Sequence, residues 1–291
     1  MNNFQLLSAA REAARRGGDA AIAALRQGVA GRVVGKGKGG DFSIQGDVDS
    51  EKNIIESLVT SIGELKVVTE EAGERIYGEN PEYTAIIDPI DGSRNYKRGL
   101  PFFSVSIAIA RGETLEDVIA AVVYAPLLGM EFSAIKGQGA FLNNAPIRVT
   151  THETVEGGLI FVGASPKAVF LPQLYILHLV SKGGIVRSLG SASLELAFVA
   201  SGGADGYIDY WGTMRVIDIA AAFLIAREAG AWVKLKGIIK DKAELSLKER
   251  LFILASATPK LAAELEEIYH ETLGLKPEDL FPVSLPHETQ G

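Results

Sequence analysis

The sequence predicts an α+β protein whose helices and sheets are stacked in layers. Its 291 residues are 47% apolar and only 22% charged, which supplies ample material for a core. Segments with helical periodicity are interspersed with strand-like runs, in an order that is not a regular βαβ series. Because single cores stop growing near ~250–300 residues, we expect one unit with approximate halves 1–150 and 151–275 and a polar tail at 276–291.

The first half is predicted to begin with helices and to continue as strands. An amphipathic helix rich in Ala, Leu and Arg runs from about Asn3 to Gln27, and a second helix follows at Asp47 to Ile62. Glycine at high density in the basic segment Gly28–Gly40 favours a mobile surface loop. The alternative is a lid whose Lys36 and Lys38 close over an anionic site. The strands are predicted at Lys66–Thr69, Thr84–Asp88, Phe103–Ala110, Val118–Ala125 and Met130–Ile135.

The second half alternates between the two kinds of element. Helices are predicted at Pro172–Lys182, Ser193–Ser201, Ile217–Ala229 and Pro259–Leu273. Strands are predicted at Leu159–Gly163, Gly184–Arg187, Gly206–Asp209, Trp232–Lys236 and Leu251–Ala255.

Composition and charge exclude several classes of protein. With no cysteine, the chain has no disulfide, thiolate metal site or Fe–S cluster. A net charge of −7 disfavours a non-specific nucleic-acid binder, although metal ions can invert the local field and allow a phosphate substrate. No segment reaches the ~17–25 apolar residues of a membrane helix, and the start lacks the order of a signal peptide. We therefore expect a cytoplasmic protein with neither a nucleic-acid nor a membrane partner.

Two carboxylates in the segment IIDPIDGS are the sharpest candidate site. An apolar strand ends in Asp88, Pro89 stiffens the backbone, and Asp91 is followed by Gly92 and Ser93. Gly92 has no side chain, so a ligand can approach the backbone N–H groups closely. Asp88 and Asp91, three residues apart, offer the hard oxygen ligands that suit Mg²⁺. The alternative is an ordinary type I turn that uses Asp and Pro.

Further acids occur at comparable positions. Glu70 and Glu71 follow another apolar strand, where they are either part of the same site or solvated loop acids. Asp218 begins an almost wholly apolar helix, as either a metal ligand or a helix N-cap. Since one Mg²⁺ usually takes one or two carboxylates, this number of acids suggests two or more metal ions around one phosphoryl group.

Together these segments resemble the inositol monophosphatase superfamily. The resemblance covers about residues 5 to 270 and lies closest to the archaeal type that acts on both inositol monophosphate and fructose 1,6-bisphosphate. The segments that carry it are Asp47 with Glu51, Glu70-Glu71, Asp88-Pro89-Ile90-Asp91-Gly92-Ser93, Gly190-Ser191-Ala192, Phe198–Asp209, Asp218-Ile219-Ala220-Ala221 and Glu228-Ala229-Gly230.

The resemblance implies a five-layer α/β/α/β/α sandwich, Mg²⁺-dependent hydrolysis of phosphate monoesters, lithium sensitivity and a homodimer. Two or three Mg²⁺ ions are implied, with Mn²⁺ as a substitute. Glu70, Asp88 and the carbonyl of Ile90 would hold the first ion. Asp88, Asp91 and Asp218 would hold the second, and a third, weaker ion would lie near Glu70.

The same resemblance assigns the remaining roles. Asp47 and Ser93 would polarise the attacking water, with serine in place of the threonine often found, and Glu70 is carried over as a third catalytic residue. The amides of Gly92 and Ser93 would cradle the phosphate. The full set of candidate substrate contacts is Asp91, Gly92, Ser93, Arg187, Gly190, Ser191, Ala192, Asp209, Trp211 and Arg215.

The expected substrate is a small phosphorylated polyol, either inositol 1-phosphate or fructose 1,6-bisphosphate. Arg187 and Arg215 are candidates for a second phosphate, since guanidinium binds phosphate in a bidentate manner; Arg187 is alternatively a surface charge at a strand end. Trp211 stands where the archaeal type often has arginine. The alternatives are a 3′(2′),5′-bisphosphate nucleotidase of the same superfamily and, from another class, a non-catalytic metal-binding scaffold or regulatory protein.

Overall fold

The computed structural model describes residues 1–38, 42–163, 168, 170–237 and 243–274, so the tail at 276–291 lies outside the described residues. The helices are α1 (Asn3–Arg26), α2 (Gln45–Ile62), α3 (Ser93–Lys97), α4 (Leu171–Ser181), α5 (Ala192–Ala200), α6 (Val216–Glu228) and α7 (Pro259–Gly274). The strands are β1 (Val33–Lys36), β2 (Phe42–Ile44), β3 (Leu65–Thr69), β4 (Gly73–Tyr77), β5 (Tyr83–Asp91), β6 (Ser104–Ala110), β7 (Val118–Ala125), β8 (Met130–Ile135), β9 (Ala140–Leu142), β10 (Ala145–Ile147), β11 (Leu159–Val162), β12 (Ile185–Arg187), β13 (Gly206–Met214), β14 (Trp232–Gly237) and β15 (Leu251–Ser256).

These elements form the expected five layers, so the α/β/α/β/α prediction is confirmed. Helices α1 and α2 cover one face of an eight-stranded sheet with strand order β10-β9-β8-β7-β6-β5-β3-β4. Helices α5 and α6 fill the space between its other face and a five-stranded sheet of order β12-β11-β13-β15-β14. Helices α4 and α7 close the outer face of the second sheet. Both middle helices are buried almost all round, as a layer between two sheets requires.

The structure corrects the sequence prediction in three places. The segment 28–40, predicted as a loop, contains β1, which pairs antiparallel with β2. Strand β5 does not end at Asp88 but continues through a bulge to Asp91, so the segment is not a free-standing type I turn. Strand β13 likewise runs on from Asp209 to Met214 after an irregularity in register. The sequence also gave no sign of β4, of α3 or of the short β9–β10 hairpin.

None of the described helices is both long and apolar enough to cross a membrane.

A buried carboxylate anchors α1 to the first sheet. The Glu131 side chain on β8 is only 5% exposed and faces Arg11 and Arg15 of α1. Arg15 donates to Glu131 Oε2 through Nε at 3.0 Å, while Arg11 donates to the other carboxylate oxygen. The buried residues of α1 are mostly alanine and glycine, whose packing alone would let the helix shift along the sheet. The two ion pairs hold the helix in one position.

We expect Glu131→Gln to lower the free energy of unfolding by roughly 1–3 kcal/mol, because two charge-assisted bonds weaken and two guanidinium groups lose their counter-ion. Urea denaturation measures the change. Glu12→Gln breaks an exposed pair with Arg16 on the same helix and is expected to cost less than about 0.5 kcal/mol. Equal costs for the two variants would contradict an anchoring role for Glu131.

Candidate active site

Asp88 and Asp91 lie at the carboxyl end of β5, on either side of its bulge. Pro89 stands inside the register shift, where its missing N–H removes no ladder hydrogen bond. Ser50 Oγ on α2 donates to the Pro89 carbonyl at 2.9 Å, and the Ile90 N–H donates to Asp88 Oδ1 at 3.1 Å. The backbone is therefore held from both sides, and both carboxylates are buried.

Three other elements bring acids to the same place. Strand β3 runs parallel to β5, with Thr69 paired to Ile87, and the carboxyl ends of parallel strands meet at one edge of a sheet. Glu70 follows directly after β3. Asp47 lies in the first turn of α2, and Asp218 lies in the first turn of α6.

The pKa values of these acids show that their negative charges repel one another. Burial raises the pKa of Asp88 well above its usual range, and the charges of Asp91 and Glu70 add to the effect. Burial also raises the pKa of Asp47 to about 8, with two nearby glutamates adding to it. Asp47 Oδ1 is buried and lacks a hydrogen-bond partner among the residues that the structure describes. Such a cluster holds an excess of negative charge that a cation would neutralise.

Arg215, at the start of α6, is the cation inside this cluster. It binds Glu70 in a bidentate manner, with Nη1 to Oε1 at 2.7 Å and Nη2 to Oε2 at 3.1 Å. It also reaches Asp218, with Nη2 to Oδ1 at 2.8 Å and Nε to Oδ1 at 3.1 Å. Asp218 is not the N-cap itself; it is the third helical residue and accepts the backbone N–H of Arg215 at 2.8 Å.

Asp91 has a different set of partners, all at the start of α5. Its Oδ2 accepts the hydroxyl of Ser191 at 2.6 Å, and both the hydroxyl and the backbone N–H of Ser193, at 2.5 and 2.8 Å. A carboxylate here also complements the positive end of the helix. These donors lower the pKa of Asp91, but burial outweighs them and raises it to about 6. Asp91 therefore joins β5 of the first sheet to the start of α5 in the middle layer, as well as contributing to the acidic cluster.

A cavity of about 740 Å³ opens beside these acids. It is lined by most of the candidate substrate contacts, namely Asp91, Gly92, Ser93, Gly190, Ala192, Asp209 and Arg215, and by Asp218. Asp209 is buried, which raises its pKa to about 7. The cavity is therefore large enough for a small phosphorylated metabolite and is lined by hydroxyl, amide and carboxylate groups.

Three candidate contacts lie elsewhere. Ser191 is fully buried and is committed to Asp91. The Nη1 of Arg187 donates to the carbonyl of its neighbour Val186, at the exposed edge of the second sheet. Trp211 packs edge-on against Tyr175, and its Nε1 donates to a backbone carbonyl. None of the three lines the cavity.

Glu195 is a cavity residue that sequence reasoning missed. It lies on α5, is only 2% exposed and accepts the backbone N–H groups of Leu189 and Gly190. From the other side, Asn95 Nδ2 donates to the Leu189 carbonyl at 2.7 Å. Glu195 and Asn95 thus clamp the turn that forms one wall of the cavity. A single glutamate in an apolar helix carries no motif that would have revealed this role.

A pH-dependent stability follows from the burial of Glu195. Burial raises its pKa to about 8, so between about pH 4.5 and 8 the folded chain binds a proton that the unfolded chain has released. Its stabilising contribution is full below pH 4.5 and is lost as the pH rises towards 8. Glu195→Gln keeps the carbonyl acceptor and removes the titration. As the pH rises, we therefore expect the free energy of unfolding of Glu195→Gln to increase relative to that of the parent. The increase should be on the order of 1.4 kcal/mol per unit of pKa shift.

The measurement is urea denaturation in EDTA across pH 5 to 8 for the parent and Glu195→Gln. Acids that do not interact with Glu195 affect the slope of both curves equally and cancel in the difference between the curves. That difference reports on Glu195 together with Asp91 and Asp209, whose charges act on it. A constant difference across the range would mean that Glu195 is ionised in the folded protein.

The donors suit a hard divalent cation although they are not preassembled as a cage. In the described part of the chain, no three acidic or histidine side chains converge as a ready-made metal site, and Arg215 occupies oxygens of Glu70 and Asp218. Carboxylate oxygens are the ligands that Mg²⁺ prefers. The unpartnered Asp47 Oδ1 and the raised pKa of Asp88 both mark charge that an ion would compensate.

Solved inositol monophosphatases share this chain's layered α/β/α/β/α fold. The model of the inositol monophosphatase family matches residues 2–270, so the chain belongs to that family.

Relatives within the family carry different names. The chain is 37% identical over 196 residues to the Nus factor SuhB of Haemophilus influenzae, covering 66% of this chain and 71% of the relative. It is 35% identical over 210 residues to the fructose-1,6-bisphosphatase of Pyrococcus furiosus, covering 72% and 77%. A solved inositol monophosphatase–fructose 1,6-bisphosphatase superposes with a TM-score of 0.74 at 26% identity, covering 91% of this chain and 98% of that one.

Proposed function

We propose that this protein is a Mg²⁺-dependent phosphate monoester hydrolase acting on small phosphorylated polyols. The observation that carries the proposal is a group of acids whose charges act on one another, of which Asp91 and Asp218 line a polar cavity. Beyond the effect of burial, the pKa of Asp88 is raised by Asp91, Glu70 and Asp218, and that of Asp47 by Glu71 and Glu70. This much buried negative charge is costly to maintain unless cations neutralise it. The chain belongs to a family of phosphatases, and all the acids that the resemblance assigns to the metal ions are present in it. Hydrolysis is therefore the best-supported activity.

The metal ligands that we propose are those that the resemblance to the inositol monophosphatases implies. Glu70, Asp88 and the carbonyl of Ile90 are assigned to one Mg²⁺, and Asp88, Asp91 and Asp218 to a second. Asp88 is shared by the two ions and is the most deeply buried of the proposed ligand side chains. When bound, the ions neutralise the phosphate oxygens, acidify a water molecule and stabilise the leaving oxygen.

The chain's own groups would position the water and the phosphate. Asp47 is assigned to the attacking water because its buried Oδ1 has no hydrogen-bond partner among the described residues and can accept a proton or a hydrogen bond from that water. The Ser93 hydroxyl is the second group assigned to the water. The Gly92 and Ser93 amides begin α3 and line the cavity, where they are assigned to the phosphate oxygens. No step requires a phosphoenzyme.

The cavity beyond the phosphate position supports a polyol. Asp209 and Glu195 both line it and offer acceptors for hydroxyl groups. Arg94 and Arg250 also line it and would complement a second anionic group. The fructose-1,6-bisphosphatase among the relatives is consistent with such a substrate.

A panel assay tests the proposal. Phosphate release would be measured from inositol 1-phosphate, fructose 1,6-bisphosphate and adenosine 3′,5′-bisphosphate, with Mg²⁺, with EDTA, and with Mg²⁺ plus Li⁺. We expect Mg²⁺-dependent release from the two polyol phosphates, with inhibition by lithium. A strong preference for the nucleotide would replace the polyol assignment by a nucleotidase.

A non-catalytic role is the competing proposal, since one relative is a Nus factor. Mg²⁺ binding without release of phosphate from any of the three esters would favour it.

A further inference from the structure

Arg215 occupies the oxygens that the proposed metal ions need. Its guanidinium takes both oxygens of Glu70 and bonds both oxygens of Asp218. Each oxygen of Asp218 accepts two hydrogen bonds, so that carboxylate has no lone pair left for a cation, whereas each oxygen of Glu70 accepts one. An ion at Glu70 would lie beside the guanidinium, whose positive charge repels it. An ion therefore gains both carboxylates as ligands only when Arg215 gives up its present contacts.

The position of Arg215 would allow its side chain to move into the cavity. It is the residue before α6, outside the rigid helix, and it already lines the cavity. Its side chain is 18% exposed and is therefore not fully enclosed by protein. Rotation away from the acids would place a bidentate anion ligand in the substrate cavity.

We propose that Arg215 is an exchangeable internal counter-ion: it holds Glu70 and Asp218 in the metal-free protein, and Mg²⁺ displaces it into the cavity, where it binds the substrate's distal anionic group. The inference rests on the proposed metal-dependent function. It reconciles the sequence expectation that Arg215 contacts a second phosphate with the structure, in which it contacts acids.

Two consequences follow from the exchange. Metal affinity includes the free energy of releasing Arg215, so the protein binds Mg²⁺ more weakly than its carboxylates alone would. In addition, Mg²⁺ and an anion become coupled ligands, because the metal frees the residue that binds the anion. The metal-free protein should meanwhile be stabilised by Arg215, which relieves repulsion among Glu70, Asp88 and Asp218.

Calorimetric titration of Mg²⁺ into the metal-free protein is the first test, comparing the parent, Arg215→Gln and Arg94→Gln. Arg94 lines the same cavity, but no hydrogen bond or ion pair joins it to Glu70 or Asp218 within the described residues. We expect Arg215→Gln to bind Mg²⁺ about tenfold more tightly and to have a lower Tm in EDTA, with the loss recovered in Mg²⁺. The effect of Arg94→Gln on Mg²⁺ affinity should be much smaller.

Each outcome of this titration has a distinct meaning. Unchanged or weaker Mg²⁺ binding by Arg215→Gln would overturn the exchange. An equal gain in the Arg94→Gln variant would also overturn it, because a general change in the cavity's field would then explain both. If the parent itself binds no Mg²⁺, the proposed function fails first, and this failure is separable from that of the exchange.

Coupling to an anion is the second test, with inorganic phosphate and fructose 1,6-bisphosphate as probes and Ca²⁺ replacing Mg²⁺ to prevent turnover. The Kd of each probe is measured with and without Ca²⁺. In the parent, we expect Ca²⁺ to lower the Kd of the bisphosphate by a larger factor than the Kd of phosphate. In Arg215→Gln, the two factors should be equal. An undiminished difference in the variant would show that Arg215 stays with the acids when the metal binds.

Discussion

Replacing Asp91 by asparagine is expected to abolish Mg²⁺-dependent phosphatase activity, by on the order of a thousandfold or more, while the fold survives. Asparagine keeps the size of the side chain and one oxygen that can accept from Ser191 and Ser193. It removes the charge that we assign to the second Mg²⁺. Because burial already raises the pKa of Asp91 to about 6, the neutral side chain also escapes part of the cost of desolvation.

The stability change should accordingly be small, roughly 1–2 kcal/mol, measured by urea denaturation in EDTA. Asp205→Asn is the matched control. Asp205 accepts the Thr150 hydroxyl at 2.6 Å and the Leu159 N–H at 2.9 Å, in the second sheet and away from the acidic cluster. It should lose similar stability and keep its activity. Turnover by Asp91→Asn within about tenfold of the parent would remove Asp91 from the metal site.

The neighbourhood of the acids on β3 and β5 could be predicted because its signal is local. An apolar run followed by an acid shows where a strand delivers a carboxylate, and Glu70 does follow β3, which pairs with β5. Asp88 lies before the bulge of β5 rather than at its end. The five-layer architecture came from the resemblance, since the order of helices and strands alone does not fix which sheet each strand joins.

The partners of those acids could not be predicted, because they are distant in sequence. Arg215 and Glu70 are 145 residues apart, and Asp91 and Ser193 are 102 apart. Only the packing of α5 and α6 between the two sheets brings them together. Strand β1 was missed for a different reason: in its four residues, all exposed, there is no alternation of buried and exposed side chains to detect.

A single methyl group added at Gly92 is expected to damage both the fold and the candidate site. Its φ is +92°, a conformation that costs an L-residue roughly 1–2 kcal/mol. An added Cβ would also lie 3.1 Å from the Phe102 carbonyl oxygen, 3.2 Å from the Gly190 carbonyl oxygen and 3.2 Å from Ser191 Cβ. Two of these neighbours are backbone atoms, and one of them, in Gly190, belongs to the cavity wall. The third belongs to Ser191, which donates to Asp91, so none of the three can move freely.

Gly92→Ala should therefore separate the walls of the cavity rather than merely strain one residue. A displacement near 1 Å at this point can cost about a hundredfold in activity, because the Gly92 and Ser93 amides are assigned to the phosphate. Gly99→Ala isolates the conformational term, since Gly99 has φ +69° and no atoms within 4 Å of an added Cβ. We expect Gly99→Ala to lose about 1 kcal/mol of stability with its kcat intact, and Gly92→Ala to lose clearly more stability together with its kcat. If both variants kept full activity, the close approach of Gly92 to Gly190 would be irrelevant to catalysis, and the phosphate would have to bind elsewhere in the cavity.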